Sequence, residues 1–339
     1  MNPEKTKVSM PVNLSRRKHL SLFALLGLLA TGLTGSPDAS AQNFPVKPVR
    51  FVVPNPPGGG TDAIGRAIAT QMSALLQWQV VVDNRPGAAG GIGLDFAAKS
   101  APDGYTIVLG ETSNLAINPA LYAKVPYDSV KDFEPVAVVG TVPLVVLVAE
   151  NSPYRTLAEL MTAAKSGKLT MASAGSGTVG HLAGEMLKRK MGIELLHVPY
   201  KGAAPAMTDL LGGQVDVFFG SLPSALSQIK GGKLRALAVT SAKRAPLLPA
   251  VPAVAELGYG EFDASVWYAI LGPAKMPAPV TAQLNAGITR VLESPEMRAR
   301  FLADGLDASS VPPQRLQGFI EAERAKWAEV VKYSGAKVD

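Results

Sequence analysis

Val49-Arg50-Phe51-Val52-Val53-Pro54-Asn55-Pro56-Pro57-Gly58-Gly59-Gly60-Thr61-Asp62 sets a short apolar run directly before a proline- and glycine-rich loop. Its first five residues are β-branched or aromatic except Arg50, and the Pro/Gly run that follows ends the pattern, as expected of a short buried strand. From Asp62 to Leu76 the residues Ile64, Ala67, Ile68, Met72 and Leu75 fall at helical spacing, with Thr61 or Asp62 placed to cap the helix. Val80–Asp83 then repeats the strand pattern. Strand, helix, strand in this order predicts a parallel pair with its crossover helix.

The alternation continues outward. Thr106–Leu109, Leu144–Ala149, Leu169–Ala172, Glu194–Val198, Val215–Phe219, Arg235–Thr240 and Ala264–Leu271 read as strands. Leu157–Lys165, Gly180–Met191, Ala203–Leu211 and Leu222–Lys230 read as helices, and the C-terminal third turns helical near Val280–Leu292, Pro295–Ala303 and Pro313–Tyr333. The expected class is α/β, with mainly parallel sheets covered by helices on both faces. The 298 residues after residue 41 are many for one open sheet. They predict two lobes, residues 42–143 with 264–339 forming a discontinuous first and 144–263 the second.

The N-terminus reads as an export signal. Lys5, Lys7, Arg16, Arg17 and Lys18 precede an apolar run of 14 residues from Leu20 to Leu33, and small residues end at Ala39-Ser40-Ala41. A spanning helix needs about 20 apolar residues, so the run predicts cleavage near Ala41 rather than an anchor. The Arg16-Arg17 pair leaves both the general and the twin-arginine export routes open. Beyond residue 41 there are 28 basic and 25 acidic residues with no basic cluster, so no nucleic-acid partner is expected. With 47% hydrophobic and 18% charged residues the chain can bury a sizeable core. The absence of cysteine excludes disulfides, thiolate metal sites, thiol nucleophiles and a lipid-modified cysteine anchor.

Three glycine-rich turns follow strands. Pro54 to Asp62 leads into a helix, whose first backbone N–H groups and positive dipole end favour an anion; three glycines let a ligand approach the backbone. The same residues would also serve as a tight turn. Asp83 to Gly93 carries four glycines and Arg85, suited either to an anion or to a packed corner. In Ser173 to His181, Gly175, Gly177 and Gly180 fit G-x-G-x-x-G, the dinucleotide fingerprint, but no acidic residue ends the next strand. No G-K-[ST], H-E-x-x-H or G-x-S-x-G occurs, and only His181 and His197 remain after the leader. His181 reads as structural, Trp267 and Tyr268 as core. Tyr200-Lys201-Gly202 can set an ammonium near an anion, though a solvated lysine is the default.

Further segments extend the pattern: Phe44-Pro45, Asn84-Arg85-Pro86-Gly87-Ala88-Ala89-Gly90, Pro102-Asp103-Gly104-Tyr105-Thr106, and Ser176-Gly177-Thr178 with His181-Leu182. Then come Val198-Pro199-Tyr200-Lys201-Gly202, the run Gly231 to Thr240, and Val251-Pro252. In this order, from about Phe44 to the C-terminus, they resemble the substrate-binding proteins of tripartite tricarboxylate transporters, the Bug family. The resemblance implies a periplasmic, two-lobed Venus-flytrap protein that closes on a small organic carboxylate. It implies a transport partner in a membrane permease, or a sensor protein in a signalling system.

By the same resemblance Pro56, Gly58, Gly59, Gly60, Thr61 and Asp62 grip a carboxylate through backbone amides and ordered waters. Ser113, Asn114, Ser176, Gly177 and Thr178 hold the remainder. Family members often carry an acid where this chain has Gly220, an acid that would suit a ligand ammonium, so an amino-acid ligand is not favoured. The resulting expectation is a monomeric solute-binding protein for a di- or tricarboxylate-like anion, with no enzymatic activity, cofactor or metal. The alternative is an exported enzyme that uses the Gly175–Gly180 loop for a nucleotide or phosphate.

Overall fold

β1 (Val49–Val53) buries Val49, Phe51, Val52 and Val53 because strands flank it on both sides. These are β2 (Val80–Asn84) and β3 (Thr106–Glu111), both parallel to it, as the crossover pattern predicts. The computed structural model from which this is read describes residues 44–308 and 311–338; the leader expected over residues 1–41 lies outside them. α1 (Gly60–Leu76) connects β1 to β2 and turns Ile64, Ile68 and Met72 into the core beneath it. Each such side chain contributes about 1.5–3 kcal/mol on burial. The short helices α2 (Gly91–Ala98) and α3 (Asn118–Leu121) follow β2 and β3.

β4 (Phe133–Ala149) organises the remainder. It is 17 residues long, whereas the sequence reads as a strand only from Leu144. Its first part runs antiparallel to β9 (Ser265–Pro273), which is itself antiparallel to β3. Its second part runs antiparallel to β7 (Val217–Ser221) and β8 (Leu234–Val239). β5 (Leu169–Ser173) lies parallel to β7 and to β6 (Leu195–Pro199). The α/β class therefore stands, but the sheets expected to be mainly parallel are mixed: parallel toward the edges, antiparallel where β4 and β9 run. Pro135, Gly140 and Pro143 obscure the strand in the sequence, and register shifts at Pro135/Ala137 and Val138/Gly140 accommodate the first two. A Cβ on Gly140 would strike the short strand β10 (Asp307–Ala308), which pairs there.

The pairing partner changes between adjacent residues: Pro143 opposes Ser265, and Leu144 opposes Ser221. Thr240, fully buried, ties this crossing to the return of the chain. Its hydroxyl donates to Ala264 O at 2.8 Å and accepts from Leu144 N–H at 3.1 Å.

Helices clothe the second set of strands. α4 (Leu157–Ser166) starts with a capping box, the Thr156 hydroxyl taking the Glu159 N–H at 3.2 Å. α5 (Val179–Met191) follows β5, α6 (Ala203–Leu211) follows β6, and α7 (Leu222–Lys230) follows β7. α8 (Ala278–Leu292) and α9 (Pro295–Ala303) flank α1. The C-terminal α10 (Leu316–Ser334) buries Leu316, Ile320, Trp327, Val330 and Val331. It also sets Glu323 Oε2 to accept the indole N–H of Trp267 at 2.9 Å and of Trp327 at 3.0 Å. Among the described residues no helix is long and apolar enough to cross a membrane.

Candidate functional site

A cleft of about 950 Å³ opens beside the point where β4 changes partners, with Val142 in its wall. One side is the β1–α1 loop, Asn55 through Thr61; the other is the start of α6, Lys201 through Pro205, with Ser221 and Ser224 at the start of α7. Tyr268 from β9 lies in the wall, and Arg300 of α9 and Asp304 just past its end form the rim, paired at 2.6 Å.

Three helices that lack a capping side chain start at the cleft; α8 and α10 lack one too but start elsewhere. α1, α6 and α7 begin at Gly59, Gly202 and Ser221, and none has a side chain bonded to its first amides. α4, α5 and α9 start elsewhere and are capped by Thr156, Thr178 and Ser294. The three helix N-termini that reach the cleft thus offer unpaired N–H groups and positive dipole ends to its interior. Lys201 adds an ammonium that pairs with no carboxylate among the described residues. Such an arrangement holds negative charge.

The β1–α1 loop is shaped from behind. Asp62, 3% exposed, does not face the cleft; its Oδ2 accepts the Gly58 N–H at 2.8 Å and Arg66 Nε at 2.9 Å. Its Oδ1 accepts Asn84 Nδ2 at 2.8 Å. Burial alone would raise this carboxyl, but the bonds from Arg66, Gly58 and Asn84 outweigh it and hold the pKa below the usual aspartate value. Gly58 takes a φ of 83° that a side chain would resist. At Gly60 a Cβ would find open space and at Gly59 only Pro56 O at 3.7 Å, so the fold does not require glycine there and its absence of a side chain keeps the backbone approachable.

Beneath the loop lies Glu111 at the end of β3, 7% exposed. Its two oxygens accept from Asn55 Nδ2 at 3.2 Å and Thr61 Oγ1 at 2.9 Å. Burial raises its pKa, and the two neutral donors only partly offset this. Tyr268 stands opposite Glu111 across the strand pair, its phenol pushed up by burial and then by that carboxyl.

The structure places the predicted site residues unequally. Pro56, Gly58, Gly59, Gly60 and Thr61 line the cleft; Asp62, Ser113, Asn114, Ser176, Gly177, Thr178 and Gly220 do not. Asn114 lies in the π-helical turn after β3, fully buried, and takes the Glu111 N–H on Oδ1 at 2.9 Å. Ser113 opens that turn. Gly220 is inside β7, paired with Val145. The G-x-G-x-x-G segment is occupied by the chain itself. The Gly177 N–H donates to His181 Nδ1 at 3.1 Å, and Thr178 Oγ1 donates to Gly175 O at 2.7 Å. A Cβ at Gly177 would strike Leu121, and one at Gly180 would lie 2.5 Å from the Phe219 carbonyl. Packing thus accounts for these glycines. Arg85 is likewise spent, donating to Asp83 at 2.8 Å with its guanidinium 3.5 Å from the Phe96 ring centre. His181 and His197 stack at 3.7 Å, both kept neutral by burial.

Lys201, Gly202, Ser221 and Tyr268 were not among the predicted contacts. Tyr200-Lys201-Gly202 carried a usable signal, a lysine and glycine between a strand and a helix. Ser221 and Tyr268 carried none, since nothing local tells which strand ends share a cleft.

A family model described as tripartite tricarboxylate transporter family receptor matches residues 64–336. The chain belongs to this family. Protein BugT of Bordetella pertussis is 39% identical over 321 residues, 94% of this chain and 98% of BugT. Among solved structures, R. palustris Rpa4515 with adipate superposes with a TM-score of 0.79 at 33% identity, covering 87% of this receptor and 99% of that chain. MatC from Rhodopseudomonas palustris with bound malate gives a TM-score of 0.74 at 30% identity, covering 85% and 100%. The receptor has the α/β fold of periplasmic binding proteins and is a solute-binding protein, not an enzyme.

Proposed function

We propose that this receptor is exported to the periplasm and closes two lobes on a small organic dicarboxylate. It then delivers the ligand, as a monomer, to the permease of a tripartite tricarboxylate transporter. The observation that carries the ligand class is the convergence of three uncapped helix N-termini and Lys201 on one cleft. The β1–α1 loop suits one carboxylate and the α6 start with Lys201 a second. The acid that lines the cleft, Asp304, is paired with Arg300 at 2.6 Å, so no unpaired carboxylate stands there to hold an ammonium. The adipate and malate named for two neighbours fit the same class.

The lobes are residues 42–143 with 264–339, and 144–263, pivoting where β4 changes partners. Pro56, Gly58, Gly59, Gly60 and Thr61 contact the ligand, Asp62 and Asn114 brace the loops behind it, and Ser113, Ser176, Gly177, Thr178 and Gly220 stand off the cleft.

Calorimetry on ligand-stripped protein tests the reading, with adipate and its 2-amino derivative as a length-matched pair. Adipate should bind more tightly; stronger binding of the amino acid would overturn the assignment. Intact mass of the periplasmic protein should give a chain starting at Gln42, and a full-length species held in the inner membrane would defeat the export claim.

A further inference from the structure

The loop proposed to hold a carboxylate is built directly over another carboxyl. Glu111 is 7% exposed and is met by Asn55 and Thr61 from the loop, by Tyr268 from β9 and, at its backbone, by Asn114. No lysine, arginine or histidine pairs with it among the described residues. Both donors come from residues that line the cleft. An anion arriving there meets a desolvated like charge that no cation offsets, an arrangement that favours neutralising one of the two.

Thr61 gives the carboxyl a means of answering. A hydroxyl has one hydrogen and two lone pairs. While Glu111 is ionised, the Thr61 hydrogen is spent on Oε2 and only lone pairs face the cleft. With a proton on Oε2, that oxygen donates to Thr61 Oγ1, Asn55 still donates to Oε1, and the Thr61 hydrogen is released toward the cleft. The proton comes from solvent, and no other bond changes.

We propose that Glu111 is a positioning residue of the anion loop, taking up a proton when an anionic ligand binds and thereby turning the Thr61 hydroxyl from acceptor to donor toward that ligand. This rests on the reading of the cleft as a carboxylate site. Affinity then falls as pH rises, because the ligand-bound state holds one proton more than the free state. The slope approaches tenfold per pH unit between the free and bound pKa values of Glu111. The raised pKa of the buried carboxyl places this window above the ordinary glutamate range. His181 and His197, held near 3 and 4, do not titrate in it.

The test is calorimetry with adipate from about pH 6.5 to 9, where the ligand's own carboxyls are ionised, in buffers of different ionisation enthalpy. The wild type should take up protons on binding adipate, up to one per ligand, and lose up to about tenfold in affinity per pH unit wherever that uptake is seen. Glu111→Gln carries a permanent N–H toward Thr61; it should show no uptake and bind more tightly than the wild type at pH 9. Thr61→Val should abolish the uptake and Thr61→Ser restore it, which keeps the test open if Glu111→Gln fails to fold. Adipate binding without proton uptake, or uptake that persists in Glu111→Gln or Thr61→Val, overturns the inference alone. A wild type that binds no dicarboxylate at any pH sinks the reading of the site, and this inference with it.

Discussion

The Gly58 amide nitrogen donates to Asp62 Oδ2 at 2.8 Å, four residues along the chain. The acid in the glycine loop therefore faces the loop's own backbone, and one of the amides expected for a ligand is already taken. Arg66 and Asn84 complete the clamp at 2.9 and 2.8 Å. Replacing Asp62 with Ala should cost about 1–3 kcal/mol in urea unfolding at pH 7 and weaken anion binding by loosening the loop. The folded-state pKa is depressed, so the stabilisation is complete above about pH 4 and is lost as pH falls through the folded value. The gap between wild type and Asp62→Ala should accordingly close in acid. A gap that stays constant down to pH 2 would mean that Asp62 acts through packing.

Gly59 tests the cleft without testing the fold. Its φ is −81°, and a Cβ would come no closer than 3.7 Å to Pro56 O. Gly59→Leu should therefore unfold with the wild-type urea midpoint while losing most of its adipate affinity, because the side chain occupies the approach to the α1 N-terminus. Wild-type affinity in this variant would remove the loop from the site.

Thr240 joins both chain crossings through its hydroxyl, at 2.8 Å to Ala264 O and 3.1 Å from Leu144 N–H. Thr240→Val keeps the shape but leaves buried partners unsatisfied, and should destabilise by about 1–3 kcal/mol. If the halves pivot here, small-angle scattering of the wild type should give a smaller radius of gyration with saturating adipate. An unchanged profile at proven occupancy would show a rigid protein.

The stacked His181 and His197 set a second pH response. Burial is the main cause of their low values, about 3 and about 4, with His197 and Lys188 adding to it at His181 and Lys188 at His197. Between about pH 6.5 and 4 the unfolded chain binds protons that the folded one refuses, so stability falls as pH drops, by up to about 1.4 kcal/mol per unit for each histidine. Urea midpoints at pH 7.5, 6 and 5 should show the fall, and His197→Gln should flatten it. An equal fall in that variant would place the protons elsewhere.

Much of the secondary structure is legible in the chain because it is set locally. Ala203–Leu211, Leu222–Lys230 and Pro295–Ala303 form helices over the residues that their apolar spacing and glycine or proline punctuation predict. Val49–Val53 is a strand over its predicted residues. Each segment chooses its state from its own alternation of buried and exposed positions, which neighbouring residues determine. The glycine loop could likewise be recognised as a place where backbone amides are free.

Whatever depends on partners distant in sequence is set by packing. Phe133–Pro143 is a strand because β9 lies beside it and absorbs its irregularities; Pro135, Gly140 and Pro143 hide it from local reading. The glycines of 175–180 resemble a ligand loop by spacing, yet Leu121 and Phe219 fill the space around them and His181 takes the Gly177 amide. Glu111 and Thr61 are 50 positions apart and meet only because β3 packs next to β1. Spacing along a chain reports which face a residue takes on its own element. What stands against that face is fixed by sheet order and packing.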